Sequence, residues 1–312
     1  MESSSSLSVR ILAWNIEKGK RWPLLEACLG HEFVRSADIL CLNEVDDGMA
    51  RSGNRRVAHE IGERLGMTVV FGQAFKELTK GIGDELLAPG ENTTGIQGNA
   101  ILSRLPVIDS QNLPLPACFD HTTRPDKREG NRHALIVRLD CGQGRVLTVA
   151  NAHLEVFGTM ACRRMQMKFL LANLPAGPAV VAGDFNTNTF SRGSLFRTVQ
   201  CLAVVAFSDV VSRVLAPWRY EPLFSELSAA GFSWEEFNDR QPTCSVELDT
   251  LDERNRVPAV LRNWILSRCR LLPLRLDFIC GRGVRPVSPG RTIADLPCRP
   301  SDHVPILCDI AL

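Results

Sequence analysis

The stretch Pro178–Asn186 reads PAVVAGDFN, and its pattern is repeated through most of the chain. Its first half is a short apolar run rich in β-branched residues, typical of a strand that is buried on both faces. The run ends in two polar residues, Asp184 and Asn186. Because alternate side chains of extended backbone point the same way, we expect both to face one side of the strand end.

Similar runs recur along the chain and are interspersed with helical patterns at Trp22–Arg35, Asn54–Leu65 and Met160–Leu174. The other runs are VRILAWNI, ADILCLNEV, TVVFGQAF, GNAILSRLPVI, HALIVRLD, RVLTVANAHLEV, LRLDFICG and DHVPILCDI. GNAILSR and LPVIDSQ are separated by few residues, as are HALIVRLD and RVLTVANAH, which predicts two antiparallel pairs. The pattern predicts an α/β fold with two packed mixed β-sheets flanked by helices.

The length of 312 residues and the 45% hydrophobic content favour one large domain, placed at residues 7–312. The Ser-rich tract 1–6 is predicted to be disordered, and Lys80–Thr94 to be a mobile loop. Residues 208–274 predict a helical and irregular insertion, which either shapes the substrate site or is plain helical decoration.

The formal net charge of +1 provides no global attraction for polyanions, so nucleic-acid binding would depend on local basic patches. No run suits a secretory signal or a spanning helix, which predicts a soluble, cytoplasmic protein, the nucleus being compatible too. No obligate protein partner is expected.

The 11 cysteines lack C-x-x-C spacing and predict reduced core residues rather than a disulfide framework or a zinc site.

Polar residues interrupt the predicted strand ends repeatedly, and all are of ligand or acid–base type. They are Asn15, Glu44, His153, Asp184, Asn186, Asp277, Asp302 and His303. One acidic residue at a strand end is usually a turn or capping device, but the whole set favours a single polar site. Glu44, Asp302 and the amide oxygen of Asn15 are ligands suited to Mg²⁺.

Cleavage of a phosphodiester needs an activated water and stabilisation of charge on the phosphoryl oxygens. Asp184 can activate the water, and Asn186 can donate to a phosphoryl oxygen. A carboxylate such as Asp277 would favour the imidazolium form of His303, while His153 could supply a second donor.

These segments resemble the endonuclease/exonuclease/phosphatase superfamily, whose fold is similar to that of deoxyribonuclease I. The matching motifs, in the family's order, are WNIEKG, LNEVD, GNAILSR, ANAHLE, AGDFN, LDFI and SDHVP. The resemblance implies a four-layered α/β sandwich and metal-dependent hydrolysis of phosphoesters. Members that cut DNA at damaged sites commonly use a tyrosine near the phosphate. The single tyrosine here, Tyr220, falls in the predicted insertion, so the resemblance does not imply that activity.

The resemblance also implies a role for each matched residue. Asn15, Glu44 and Asp302 would surround the metal, Asp184 and Asn186 would handle the nucleophile, Asp277 would orient His303, and His153 would hold the phosphate. Arg132 falls where relatives place a phosphate-contacting arginine, its alternative being a surface ion pair, and Arg163 in CRRMQ is a second phosphate-binding candidate. Asp46 and Asp47 are expected to be solvated loop residues.

The superfamily includes nucleases, deadenylases, inositol-phosphate phosphatases and sphingomyelin phosphodiesterases, so the fold does not determine the substrate. Local basic clusters would either follow a phosphate backbone or be solvated charge. They are Arg51/Arg55/Arg56, Lys127/Arg128/Arg132 and Arg268/Arg270/Arg275. The prediction is a phosphodiester hydrolase that uses Mg²⁺, with Mn²⁺ as a substitute, and acts on nucleic acid. The alternatives are a phosphatase, a sphingomyelin or phosphoinositide phosphodiesterase, or an inactive binding module.

Overall fold

The computed structural model describes residues 7–187, 215–247 and 271–312, which contain fifteen strands and five α-helices. The strands are β1 (Ser8–Lys18), β2 (Ile39–Asp47), β3 (Thr68–Glu77), β4 (Ile96–Ser103), β5 (Val107–Pro114), β6 (Arg128–Gly130), β7 (His133–Asp140), β8 (Val146–His153), β9 (Ala179–Asp184), β10 (Cys244–Glu247), β11 (Leu271–Leu274), β12 (Asp277–Arg282), β13 (Arg285–Pro286), β14 (Arg291–Thr292) and β15 (Ile306–Ala311). The helices are α1 (Trp22–Leu29), α2 (Glu32–Arg35), α3 (Val57–Leu65), α4 (Met160–Ala172) and α5 (Leu223–Ala229).

Two large sheets contain most of these strands. The first has the order β13-β15-β1-β2-β4-β3-β6, with β14 also paired to β15, and the second has the order β12-β9-β8-β7-β5. The β1/β2 and β8/β9 pairs are parallel, whereas their other neighbours run antiparallel. The predicted pair of mixed sheets is therefore confirmed.

The two sheets pack face to face, and helices cover their outer faces. Ile11 and Ala13 of β1 lie in the core between the sheets, which also contains Val149 of β8 and Val180 of β9. The intervening Leu12 and Trp14 lie in the outer core that α1 and α3 cover, and a third core lies between the second sheet and α4 with α5. Strands with apolar residues on both faces explain the nearly continuous hydrophobic runs.

The predicted helices are present, with shifted ends. Trp22–Arg35 is divided into α1 and α2 at Gly30 and His31, and the pattern from Asn54 begins as a helix only at Val57. α4 starts after Thr159, whose hydroxyl accepts a hydrogen bond from the backbone N–H of Cys162 at 3.2 Å.

The predicted hairpin between GNAILSR and LPVIDSQ is wrong. β4 lies inside the first sheet with β2 and β3 on its two edges, whereas β5 pairs with β7 at the edge of the second sheet. Because both edges of β4 are occupied, the chain leaves it at Ser103 and passes to the other layer. The second predicted pair, β7 with β8, is antiparallel as expected.

Two other expectations are corrected. Cys118 and Cys162 form a disulfide that joins the segment after β5 to the first turn of α4, so these two cysteines are not reduced core residues. Most of the free cysteines in the described ranges are buried, as predicted. Asp46 is fully buried rather than solvated, because Arg51 donates two hydrogen bonds of 2.8 Å to its carboxylate.

The predicted tract 1–6 lies outside the described residues, as do 208–214 and 248–270 of the predicted insertion. The rest of that insertion includes α5, β10 and β11. The Lys80–Thr94 loop contains a short 3₁₀ helix, Gly83–Leu87, and its Glu85 accepts a 2.5 Å hydrogen bond from Lys18. Among the described residues, no helix combines the length and the apolar character that crossing a membrane requires.

Candidate active site

The strand register brings the predicted polar residues to one end of the two sheets. His153 at the end of β8 pairs in register with Asp184 at the end of β9, and Asp184 pairs with Asp277 at the start of β12. In the first sheet Asn15 of β1 lies beside Asn43 of β2, directly before Glu44. Both sheets therefore present their polar strand ends on the same side of the sandwich.

One carboxylate oxygen lies at the centre of this group. Asn15 Nδ2 donates to Asp184 Oδ2 at 3.0 Å, and the same oxygen lies 3.5 Å from His153 Nε2 and 3.9 Å from His303 Nε2. Asp184 is nearly inaccessible to solvent. Three residues from separate segments thus meet at one buried oxygen.

Burial and the neighbouring Asp277 carboxylate raise the pKa of Asp184 to about 7, against the opposing effect of His303. The Asn15 side chain and the backbone N–H of Asn186 also oppose this rise by donating to the carboxylate. An acid of this pKa can exchange a proton with a bound water near neutral pH.

His303 and Asp277 form a close pair, with 2.7 Å between Nδ1 and Oδ2. Burial acts to lower the pKa of His303, but the negative charge of Asp277 outweighs it and holds that pKa well above its ordinary value. The Thr243 hydroxyl holds the backbone of Asp277 in place by accepting a 3.2 Å hydrogen bond from its N–H. His303 is therefore held as an imidazolium in a fixed orientation.

The other histidine of the group has the opposite character. Burial and the nearby Arg132 guanidinium lower the pKa of His153 well below its ordinary value. At neutral pH His153 is therefore a neutral imidazole with one N–H to donate.

Asn186 does not point along an extended strand as predicted. Its φ of 50° is left-handed, and its backbone N–H donates to Asp184 Oδ1 at 2.9 Å, which closes a tight turn. Its side-chain Nδ2 donates to the carbonyl oxygen of Leu154 at 2.9 Å. The turn brings Asn186 beside the group, although it does so by reversing the chain.

Two of the three predicted metal ligands, Glu44 and Asp302, lie close enough for their charges to interact. Burial acts to raise the pKa of Glu44, but His153 first, and then Lys18 and Arg132, act in the opposite direction and lower that pKa to about 2. Partial desolvation raises the pKa of Asp302, and the negative charges of Glu17 and Glu44 raise it further against the effect of His303. Asn15 is already engaged at both amide atoms, since its Oδ1 accepts a 3.0 Å hydrogen bond from the N–H of Glu17.

Among the described residues, two groups of three side chains have ligand atoms within 4.8 Å of one another. They are Asp184/Asp277/His303 and Cys244/Asp302/His303. Glu44 belongs to neither group, whereas Asp302 belongs to the second.

The two predicted phosphate-binding arginines differ in their environments. Arg132 is buried rather than part of a surface ion pair, and its Nε lies 3.9 Å from Glu155 Oε2 with no hydrogen-bond partner among the described residues. Arg163 is completely buried on α4 and forms an ion pair with Glu221. The structure therefore does not bring Arg163 into the group around Asp184.

A network of buried amides supports the site, and the sequence reasoning missed it. Asn43 Nδ2 donates to the side-chain oxygens of Asn99 and Asn151, and Asn151 Nδ2 donates to backbone oxygens of Leu42 and Ala100. Gly183 packs against this network with a φ of 124°, where a Cβ atom would lie 2.3 Å from the carbonyl oxygen of Ala152. Single asparagines inside the apolar runs LCLNEV, GNAILS and VANAH were the available signal, since buried amides require partners.

The described members of the predicted basic clusters are divided between the interior and the surface. Arg51 is paired with Asp46, Arg128 with Asp126, and Arg275 with Asp239. Arg268 and Arg270 lie outside the described residues. At or near the surface are Arg55 and Arg56, which pair with Glu60 and Asp47, and the exposed Lys127. The prediction of solvated charge therefore does not hold for Arg51, Arg128 and Arg275, which are paired in the interior.

Comparison with known proteins gives one family and many similar folds. A family model described as "Endonuclease/Exonuclease/phosphatase family" matches residues 12–303. A search of curated proteins finds no match for this chain.

Several solved structures share the fold at low sequence identity. An endonuclease/exonuclease/phosphatase from Beutenbergia cavernae is 17% identical with a TM-score of 0.58, covering 98% of this chain and 72% of that one. The human Nocturnin catalytic domain with bound sulfate is 20% identical with a TM-score of 0.54, covering 97% and 94%. D. rerio TDP2 complexed with a single-strand DNA product is 15% identical with a TM-score of 0.51, covering 97% and 98%.

Proposed function

The chain belongs to the endonuclease/exonuclease/phosphatase family, as its ordered motifs predicted, and we propose that it is a Mg²⁺-dependent hydrolase of phosphate diesters. The observation that supports this most strongly is the environment of Asp184 Oδ2, where Asn15, His153 and His303 converge from separate segments. A buried carboxylate between a charged imidazolium and a neutral imidazole can receive a proton while neighbouring groups bind negative charge.

Asp184 is the general base in this proposal. Its raised pKa makes the carboxylate basic enough to take a proton from the attacking water, and the Asn15 amide and the Asn186 backbone N–H fix its two oxygens. The water's oxygen then attacks phosphorus, and the bond from phosphorus to the leaving oxygen breaks. Asn15 thereby acts as an orienting residue in addition to its predicted place beside the metal.

The groups that face the phosphate are His303, His153 and Arg132. The His303 imidazolium and the His153 N–H are donors for phosphoryl oxygens, on which negative charge develops during attack. Arg132 adds a buried guanidinium whose Nε is not hydrogen-bonded to any described residue. A bidentate guanidinium matches the geometry of two phosphoryl oxygens.

The chemistry of the donor set fits a hard cation. The like charges of Glu17, Glu44 and Asp302 are close enough to raise the pKa of Asp302, a repulsion that a divalent cation would relieve. Glu44 and Asp302 would hold it, and the second lone pair of Asn15 Oδ1 is available to it. A bound Mg²⁺ supplies charge neutralisation at a phosphoryl oxygen and polarisation of water.

Nucleic acid is the proposed substrate. D. rerio TDP2, a neighbour in fold, was solved with a single-strand DNA product, and the human Nocturnin domain holds a sulfate, an anion shaped like phosphate. A single strand reaches a recessed site more readily than a duplex, because its backbone can bend into the opening.

A small phosphate ester is the second candidate, favoured by one observation. Arg51, Arg128 and Arg275 are each paired with a buried or half-buried acid, so these three arginines are not available to follow a polymer backbone.

The test is turnover by the purified chain with Mg²⁺, Mn²⁺ or EDTA on single- and double-stranded DNA, RNA, sphingomyelin and phosphoinositides. Metal-dependent cleavage that Asp184→Asn lowers by about 10³-fold or more supports the proposal. Asp109→Asn, an exposed carboxylate of β5, is the matched control and keeps full activity. Turnover unaffected by Asp184→Asn contradicts the mechanism, and a folded chain inactive on every substrate contradicts the function.

A further inference from the structure

A second group of metal-ligand type lies at the edge of the candidate active site. One ligand atom each from Cys244, Asp302 and His303 lies within 4.8 Å of the other two. Ligand atoms around one tetrahedral Zn²⁺ are roughly 3–4 Å apart, so rotations that move these atoms by about 1 Å complete the arrangement. The sequence reasoning overlooked this group because Cys244 is far from Asp302 along the chain.

The backbone holds these residues in place. Cys244 and His303 face each other across an antiparallel bridge, and the N–H of Val304 donates to the carbonyl oxygen of Thr243 at 2.8 Å. The Thr243 hydroxyl also binds the backbone of the Leu276–Asp277 segment. The relative position of the thiol and the imidazole is thus set by the fold rather than by flexible loops.

His303 has the partner that zinc-binding histidines usually have. Its Nδ1 lies 2.7 Å from a carboxylate oxygen of Asp277, which leaves Nε2 as the nitrogen able to bind a metal. A carboxylate on the second ring nitrogen fixes the ring and strengthens the imidazole as a ligand.

A groove open to solvent reaches two of the three residues, Cys244 and Asp302. This groove of about 250 Å³ is lined by Cys244, Asp302, Thr243 and Arg299, among others. Cys244 and His303 are buried, whereas Asp302 is exposed. Three protein ligands with an opening to water correspond to a zinc site whose fourth position is filled by water.

We propose that Cys244, Asp302 and His303 form a binding site for Zn²⁺ and that its occupation inhibits the enzyme. A thiolate, an imidazole and a carboxylate together favour Zn²⁺ over Mg²⁺, because Mg²⁺ prefers oxygen ligands alone. Zn²⁺ at this site takes Asp302 away from Mg²⁺ and His303 away from the phosphate. The inhibition rests on the proposed function, whereas the binding does not.

Binding is tested first, without any substrate. The purified full-length chain is titrated with Zn²⁺ against a chromogenic chelator, and with Co²⁺ to record a thiolate-to-cobalt charge-transfer band. Cys244→Ser is compared with Cys141→Ser, a buried free cysteine at the end of β7 that lies in the core between the sheets. We expect one site whose Zn²⁺ affinity falls on the order of tenfold or more in Cys244→Ser alone, with loss of the cobalt band.

Inhibition is tested on the substrate that the Mg²⁺ assay identifies. Zn²⁺ lowers turnover of the parent and of Cys141→Ser, while Cys244→Ser needs on the order of tenfold more Zn²⁺ for the same loss. Added Mg²⁺ relieves the inhibition, because the two ions compete for Asp302.

The outcomes separate the two claims. Unchanged Zn²⁺ affinity and an unchanged cobalt band in Cys244→Ser overturn the site, whatever the enzyme does. Binding that depends on Cys244 in a chain without turnover keeps the site and overturns the proposed function. Binding that depends on Cys244 without inhibition of an active enzyme overturns the regulatory claim.

Discussion

The backbone N–H of Asp184, in the second sheet, donates a 2.9 Å hydrogen bond to the side-chain oxygen of Asn43, in the first sheet. The amide nitrogen of Asn43 donates in turn to Asn99 and Asn151 at 3.0 and 2.9 Å. One side chain therefore joins the two layers immediately behind the proposed base.

Replacement of Asn43 by alanine should reduce both stability and catalysis. It leaves the N–H of Asp184 and two amide oxygens unpaired in a dry interior, at a cost of about 1–3 kcal/mol for each group. Urea denaturation measures the loss, and we expect kcat to fall more than KM rises because Asp184 is displaced. Asn112→Ala, an exposed amide on β5, should change stability by less than about 0.5 kcal/mol. Equal losses in both variants would argue against the buried network.

Asp184 should make the metal-free protein less stable as pH rises. Its folded pKa of about 7 lies above its ordinary value of 3.8, so the folded state binds the proton more tightly than the unfolded state. The stabilisation of the protonated form is therefore lost progressively between about pH 4 and 7. Urea denaturation in EDTA should show a shallower decline over this range for Asp184→Asn than for the parent. Parallel pH profiles would contradict the raised pKa.

Removal of the Asp277 charge should make His303 an ordinary imidazole. The pKa of His303 is raised in the folded protein, so the pair stabilises the fold fully below about pH 6.5, and this contribution disappears as pH rises through the folded pKa. In Asp277→Asn the His303 titration followed by NMR should move to lower pH, and activity should be lost at lower pH than in the parent. The resonance of His31, on the outer side of the first sheet, serves as the reference and should not move. A His303 titration unchanged by the substitution would show that Asp277 does not set its charge.

Loss of the Cys118–Cys162 disulfide should lower stability. The bond closes a loop of 44 residues, and opening such a loop costs about 2–4 kcal/mol, mainly through the entropy of the unfolded chain. The double variant Cys118→Ser/Cys162→Ser should melt at a lower temperature than the parent, and a reductant should bring the parent to the same value. Cys141→Ser should still respond to the reductant. Two free thiols at these positions in the unreduced protein would contradict the bond.

The layers of the fold could be predicted because a strand that is buried on both faces has apolar residues at nearly every position. The alternation of Ile11 and Ala13 with Leu12 and Trp14 divides β1 between two cores, and the run VRILAW already contains it. The strand order was harder to predict from the sequence. Ser103 and Val107 look like the ends of a hairpin, yet the partner of β4 is decided by β2 and β3, which lie distant in the sequence.

Site residues could be predicted where the residue type alone indicates the role. They were missed where the role depends on a contact with a residue that is not evident from the sequence. Asp184, His153 and His303 stand out as polar ends of apolar runs. Asp46 has the same appearance, but the burial of Arg51 beside it makes it a structural ion pair. The left-handed turn at Asn186 likewise depends on the carboxylate of Asp184, which local spacing alone does not reveal.

The pairing of β1 with β15 also determines when the proposed metal site is assembled. It joins Ser8 to Ala311 and Ala13 to Ile306, contacts that close nearly the whole chain into one loop. Such contacts form slowly, since the entropy of closure must be overcome before they contribute any stability. Asn15 lies in β1 just beyond the part that pairs with β15, and Asp302 precedes β15. A folding intermediate in which β15 has not paired with β1 therefore lacks the arrangement of Asn15 and Asp302 that the proposed metal site requires, and we expect hydrolysis only after these two strands have paired.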